Sequence, residues 1–266
     1  MSASSLLLRR LRAVDTLQQQ RSHVERLRVR LGDGARTTVH IASYDSSAVC
    51  ARVVVLEQPA PLVRWCNEQG VRDAVVGGFF HRPSYTPLGQ LRIGGEAQQS
   101  SPFDAPWGDM RACVHIDGET IGIARRDQVA AEPAGDLLQA GPLLVADGRR
   151  AIADGEDVEG FSAAAHQFDS DITAGRYPRA ALAIAGERLL AVACDGRTRQ
   201  DVGMTLPELA DVLVDLGATA ALNLDGGGSA SLVHGGRLRN RPREQHGGDL
   251  HEGRAIVTAI VFEARA

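Results

Sequence analysis

The stretch PRAALAIAGERLLAVACDGR, from Pro178 to Arg197, constrains this chain more than any other: two apolar runs separated by Ala185, Gly186 and Glu187. Short apolar runs bounded by a glycine-bearing break read as the two strands of a hairpin. The same pattern recurs along the chain. VERLRVRLGDGARTTVHIASYD alternates apolar and polar residues on both sides of Gly32, Asp33 and Gly34, and CARVVVLEQ continues as a strand. LGQLRIGGE and RACVHIDGETIGIARR are further hairpins, the second turning at DGE. LLQAGPLLVADGR reads as one strand interrupted by Gly141 and Pro142, and GRAIVTAIVFEA as the last strand. Helical spacing is confined to two places. APLVRWCNEQG ends on Gly70, suited to a helix C-cap, and precedes the apolar strand RDAVVGGFF, which makes a strand, helix, strand unit. TLPELADVLVDLGA has Thr205 as N-cap, Pro207 in its first turn and Gly217 at its end. These readings predict an α+β fold: a single domain of mixed, mostly antiparallel β-sheet with helices near residues 60–70 and 205–217. Residues 1–35 are expected to be an N-terminal segment with a short helix and first strand, and residues 36–266 the main domain. Residues 5–20 read as an arginine-rich amphipathic stretch that packs on the surface or pairs between subunits, leaving a homo-oligomer open. The polar, aperiodic residues 151–175 are a candidate mobile loop.

Composition narrows the partners. A formal net charge of -4 and a pI near 6.1 lack the basic excess that grips nucleic acid without sequence preference. Every basic side chain is arginine, which favours bidentate contacts to carboxylate or phosphate, although codon bias of a high-GC genome explains the same choice. Cys50, Cys66, Cys113 and Cys194 lack metal or redox spacing and are expected to be buried thiols in a reduced compartment. The opening MSASSLLLRRLRAV falls short of the apolar core of a signal peptide, and no apolar run is long enough to span a membrane. A cytoplasmic protein without a membrane partner is the expectation.

NLDGGGSASLV, from Asn223 to Val233, places a carboxylate before three glycines and two serines. Ordering such a run is entropically expensive, so three glycines suggest a close approach of backbone to something. Successive glycine amides can form a concave nest for an anionic oxygen, with Ser229 adding a hydroxyl. The alternative is a wide hairpin turn with Asp225 capping its own loop. A second glycine pair, Gly77 and Gly78, ends the apolar strand AVVGGFF and would let backbone approach a pocket, with His81 and Arg82 at its rim. Asp195 and Arg197 follow one strand and Arg176 and Arg179 precede another, and each arginine alone reads as a solvated charge.

Together GGFF, AGPLLV, PRAALAI, ACDGR, GMTLPELADVLVDLGATAALNLDGGGSASLV and GRAIVTAIVFEA resemble the phosphodiester glycosidase family over roughly residues 36–264. Two positions depart from the family pattern: Val76 stands where asparagine is common, and Ala180 where threonine is common. The resemblance implies hydrolysis at a sugar anomeric carbon whose leaving group is a phosphate ester. Such a leaving group requires charge stabilisation more than protonation. Arg179 and Arg197, with the amides of Gly226, Gly227 and Gly228, are then expected on the phosphate. Asp225 and Asp195 are the candidate carboxylates for the sugar centre or the attacking water, and Asn223 and Ser229 the orienting partners. No cofactor is expected; neither carboxylate has metal-ligand spacing, though an aspartate and glycine turn leaves a divalent ion open. The implied partner is a small sugar phosphodiester. Two other readings stay open: a sugar-phosphate binding protein without catalysis, and a phosphodiesterase cutting the P–O bond.

Overall fold

A computed structural model describes residues 22–162, 173–244 and 248–265. The amphipathic stretch at residues 5–20 lies outside them, as does residue range 163–172 of the expected mobile loop. Three main sheets organise the chain. The largest has seven strands in the order β1 (Ser22–Arg30), β2 (Arg36–Asp45), β15 (Arg188–Cys194), β14 (Arg179–Ala185), β16 (Ala220–Asn223), β12 (Leu143–Ala146) and β13 (Arg149–Arg150). A five-stranded sheet runs β18 (Arg237–Leu238), β17 (Leu232–His234), β4 (Ala74–Val76), β19 (Ala255–Ala264) and β3 (Val49–Pro61). The other five-stranded sheet runs β10 (Thr120–Arg125), β9 (Ala112–Asp117), β11 (Asp136–Gln139), β7 (Leu91–Ile93) and β8 (Glu96–Ala97). A small ribbon pairs β5 (Phe80–His81) with β6 (Thr86–Pro87).

The helices are α1 (Leu62–Gln69), a single turn α2 (Trp107–Met110) and α3 (Leu206–Asp215). Both long helices fall where the spacing predicts them. Gly70 closes α1 in the left-handed region at φ 70°. At α3 the Thr205 hydroxyl accepts from the Glu208 N–H and the Glu208 carboxylate accepts from the Thr205 N–H, a reciprocal cap worth about 1 kcal/mol. The α+β expectation fits in outline, and the sheets are more uniform than the mixed, mostly antiparallel arrangement expected. Every strand pairing in the described sheets is antiparallel and helices are few, so the fold is mostly β. None of the described helices is long and apolar enough to cross a membrane.

Why the central runs are apolar throughout follows from the layers. On β14, Ala181, Ala183 and Ala185 pack with Leu206, Leu209 and Leu213 of α3, while Ala180 and Leu182 join the core shared with the two five-stranded sheets. On β15, Leu190, Val192 and Cys194 take the helix side and Leu189, Ala191 and Ala193 the other. Both faces of these strands are therefore buried, which replaces alternation by an unbroken apolar run. One predicted strand divides: LLQAGPLLVADGR is β11 in one sheet and β12 in another, with Gly141 at φ 119° at the crossing. β1 pairs with β2 along its whole length, so the described end of the N-terminal segment is continuous with the seven-stranded sheet.

Candidate active site

The glycine run is a crossing between sheets. β16 pairs with β14 and β12, whereas β17, on the far side of the glycines, pairs with β4 and β18. The hairpin alternative therefore does not hold, although Asp225 does cap its own loop by accepting the Gly226 N–H at 2.8 Å. The last ladder bond runs from the Leu224 N–H to Ala180 O at 2.9 Å. One residue on, the Asp225 N–H donates to Gly77 O at 3.0 Å, and the Gly227 N–H donates to Pro178 O at 2.8 Å. Gly196 packs its α-carbon on Pro178, where an added methyl would stand 2.7 Å from the proline nitrogen. The segments holding Gly77, Asp195 and Asp225 thus meet, as the sequence predicts.

Each glycine of the run has its own steric reason. A methyl on Gly226 would stand 3.0 Å from Pro178 O. Gly227 has φ 60° and lies under the Arg197 guanidinium, 3.3 Å from where its methyl would be. Gly228 is the most crowded, with Glu244 Oε1 at 2.9 Å, Leu250 Cδ1 at 3.1 Å and Arg254 Nε at 3.2 Å from such a methyl. This revises the amide-nest expectation. The N–H groups of Gly226 and Gly227 are bonded to Asp225 and Pro178, and the glycines let charged side chains close over the backbone. Gly77 and Gly78 act likewise within the protein: their N–H groups donate to Thr258 O at 2.8 Å and Thr258 Oγ1 at 3.0 Å.

Around this turn the charges segregate. Burial pushes the Asp225 carboxyl up to about 6, against the opposing pull of Ser229, Arg254, the Gly226 N–H and Arg82. Part of the residue keeps accessible surface. Glu244 moves the other way. Its hydrogen bonds from Arg254 hold it below the usual carboxylate range, with Arg82 and Arg197 adding to the effect. Arg197 sits at φ 63° and donates to Arg243 O at 2.7 Å. Its guanidinium and that of Arg179 lie 5.6 and 5.5 Å from the centre of the Tyr177 ring, within cation–π range. Arg179 itself is buried and donates to Met204 O at 3.2 Å and Gly175 O at 3.3 Å, at the approach to α3.

Asn223 is buried with its Nδ2 donating to Gly141 O at 2.8 Å, while its Oδ1 has no hydrogen-bond partner among the described residues. The Ser229 hydroxyl is equally buried; it lies near enough to favour the Asp225 carboxylate, without the geometry of a formed hydrogen bond. Asp195 is on another face. Cys194 packs towards α3, so the next side chain points to the opposite side of the sheet, where Asp195 Oδ2 meets His40 Nε2 at 3.1 Å and Oδ1 accepts the Arg241 N–H at 2.6 Å. This pair borders a cleft lined by Arg26, Arg239 and Arg241. No group of three or more His, Cys, Asp or Glu among the described residues forms a metal-ligand cluster.

Comparison with known proteins fits this arrangement. Residues 69–263 match the family described as phosphodiester glycosidase. The chain belongs to that family. No curated protein matches it. Among solved structures, this phosphodiester glycosidase family member is similar to the zebrafish N-acetylglucosamine-1-phosphodiester alpha-N-acetylglucosaminidase catalytic domain auto-inhibited by its pro-peptide, with TM-score 0.68, 20% identity, and 92% of this chain and 83% of that one covered. A hypothetical protein from Synechocystis gives TM-score 0.64 and 19% identity over 92% of this chain, which spans 62% of that protein's length. At such identities the likeness establishes the fold. Sequence reading missed Glu244 and Arg254 and gave Arg82 no role beyond the rim. Their approach depends on how the segment before β19 returns to the turn, and the one available sign was the third glycine, which nothing in a simple turn requires.

Proposed function

We propose that the protein hydrolyses the glycosidic bond of a sugar-1-phosphodiester, of the N-acetylglucosamine-1-phosphodiester kind, releasing free sugar and a phosphomonoester. The observation that supports this reading best is the turn after Asp225, over which the Arg197 guanidinium closes at Gly227 and the Arg254–Glu244 pair at Gly228, beside a carboxyl that burial pushes up to about 6. In the reaction the oxygen of a water molecule bonds to the anomeric carbon as the bond from that carbon to the phosphate oxygen breaks. The bonding pair leaves with the phosphate, whose charge the arginines offset. Asp225, ionised above about pH 6, takes the water's proton and releases it to solvent. Asn223 and Ser229, both buried, are the orienting partners of the turn that carries Asp225. Arg179, which donates to Met204 O and Gly175 O and lies over the Tyr177 ring, is the further arginine proposed for the phosphate.

The non-catalytic reading draws on Val76 and Ala180. Both are 0% exposed, so the polar groups common at these positions in the family are absent from the interior here. Incubation with a panel of sugar-1-phosphodiesters in oxygen-18 water, with and without chelator, separates the readings. Label in the sugar supports the glycosidase, label in the phosphate identifies a phosphodiesterase, and binding without turnover identifies a binding protein.

A further inference from the structure

Arg254 holds a carboxylate side-on: its Nε donates to Glu244 Oε1 at 2.8 Å and its Nη2 to Oε2 at 2.6 Å. The backbone N–H of Arg254 donates to Gly228 O at 2.9 Å, and the ion pair packs on the Gly228 α-carbon. The same guanidinium lies within electrostatic reach of Asp225 and Tyr85. Glu244 faces Arg254, Arg82 and Arg197, and Asp225 faces Arg254 and Arg82. Two carboxylates are therefore influenced by one guanidinium, and Glu244 grips it through a two-point fork that fixes its plane.

We propose that Glu244 is a positioning residue for Asp225: by gripping Arg254 at two points it limits how much of that cation's charge reaches Asp225, and so sets the protonation state of the proposed base. Glu244 is held below the ordinary carboxylate range and Asp225 is raised to about 6, the separation that two carboxylates in different roles require. Freed from Glu244, the Arg254 guanidinium turns to the carboxylate that remains, and Asp225 ionises more easily. Removing Arg254 has the opposite sign. The kinetic consequence rests on Asp225 acting as base, whereas the charge sharing does not.

The test is a carbon-13 NMR titration of the Asp225 carboxyl in the substrate-free full chain, its signal assigned by its loss in Asp225→Asn. Glu244→Gln should lower the midpoint by about one pH unit and Arg254→Gln should raise it by a similar amount, the size expected when a cation within a few ångströms is gained or lost. Glu244→Asp, which keeps the charge on a shorter stem, should recover part of the shift. The pH profile of kcat/KM on a sugar-1-phosphodiester should move in the same directions, with kcat falling more than KM rises. An Asp225 midpoint that is unchanged or raised in folded Glu244→Gln overturns the proposal whatever the activity. If Glu244→Gln does not fold, failure of Arg254→Gln to raise the midpoint overturns it. NMR shifts of the expected signs in a protein that turns over no sugar-1-phosphodiester uphold the charge sharing and defeat the glycosidase reading.

Discussion

Asp225 and Asp195 each follow a strand of the same seven-stranded sheet, and they end in opposite circumstances. Asp195 is fully engaged, with His40 on one oxygen and the Arg241 N–H on the other. Asp225 accepts one local bond from Gly226 and otherwise lies within electrostatic reach of Arg254 and Arg82. A carboxylate whose oxygens are both committed to the protein holds structure in place. One that burial keeps reluctant to ionise, with cations nearby, is suited to accept and release a proton. This contrast favours Asp225 over Asp195 as the proposed catalytic residue.

The largest expected effect that would break this contrast is on turnover. Asp225→Asn preserves shape and the Gly226 contact, and should lower kcat by at least about a hundredfold on a sugar-1-phosphodiester, while Asp195→Asn should change it by less than about tenfold. Steady-state kinetics on both variants decide it; equal losses would erase the distinction. Gly228→Ala comes next. Its methyl would press on Glu244 Oε1 and Arg254 Nε at 2.9 and 3.2 Å, so a loss of about tenfold in kcat/KM with a smaller effect on melting is expected.

Stability gives a comparison of opposite sign. Asp195→Asn weakens contacts to His40 and a backbone N–H and should cost about 1–3 kcal/mol in denaturant unfolding at neutral pH. Asp225→Asn should not destabilise there. A carboxyl raised from 3.8 to about 6 takes up protons more readily in the folded protein, so the stability linked to it is present at low pH and is lost as pH rises towards about 6. Replacing it by Asn should remove that decline and leave the melting temperature at neutral pH equal or higher. The smallest effect is on the pH profile: kcat/KM of the wild-type protein should fall below about pH 6 with unit slope as Asp225 takes up its proton. A flat profile down to pH 4 would assign the proton transfer to another group.

Much of this architecture was written locally. Thr205, Pro207, Glu208 and Gly217 bound α3 by contacts within a few residues, and the breaks at Asp33 to Gly34, Gly118 and Gly186 set hairpins whose strands are neighbours in the chain. Such features are legible because the residues that satisfy one another are adjacent in sequence. The crowding at three glycines was legible too, since a costly backbone run announces close contact without saying with what. Only the tertiary structure decided what that contact is. That β11 and β12 enter different sheets, that the glycines cross between sheets, and that Asp195 turns to the face opposite α3 depend on which surfaces each strand buries. The arrival of Glu244 and Arg254 over Gly228, and of Arg197 over Gly227, follows from long-range packing, because a charged side chain carries no local mark of the partner it will meet.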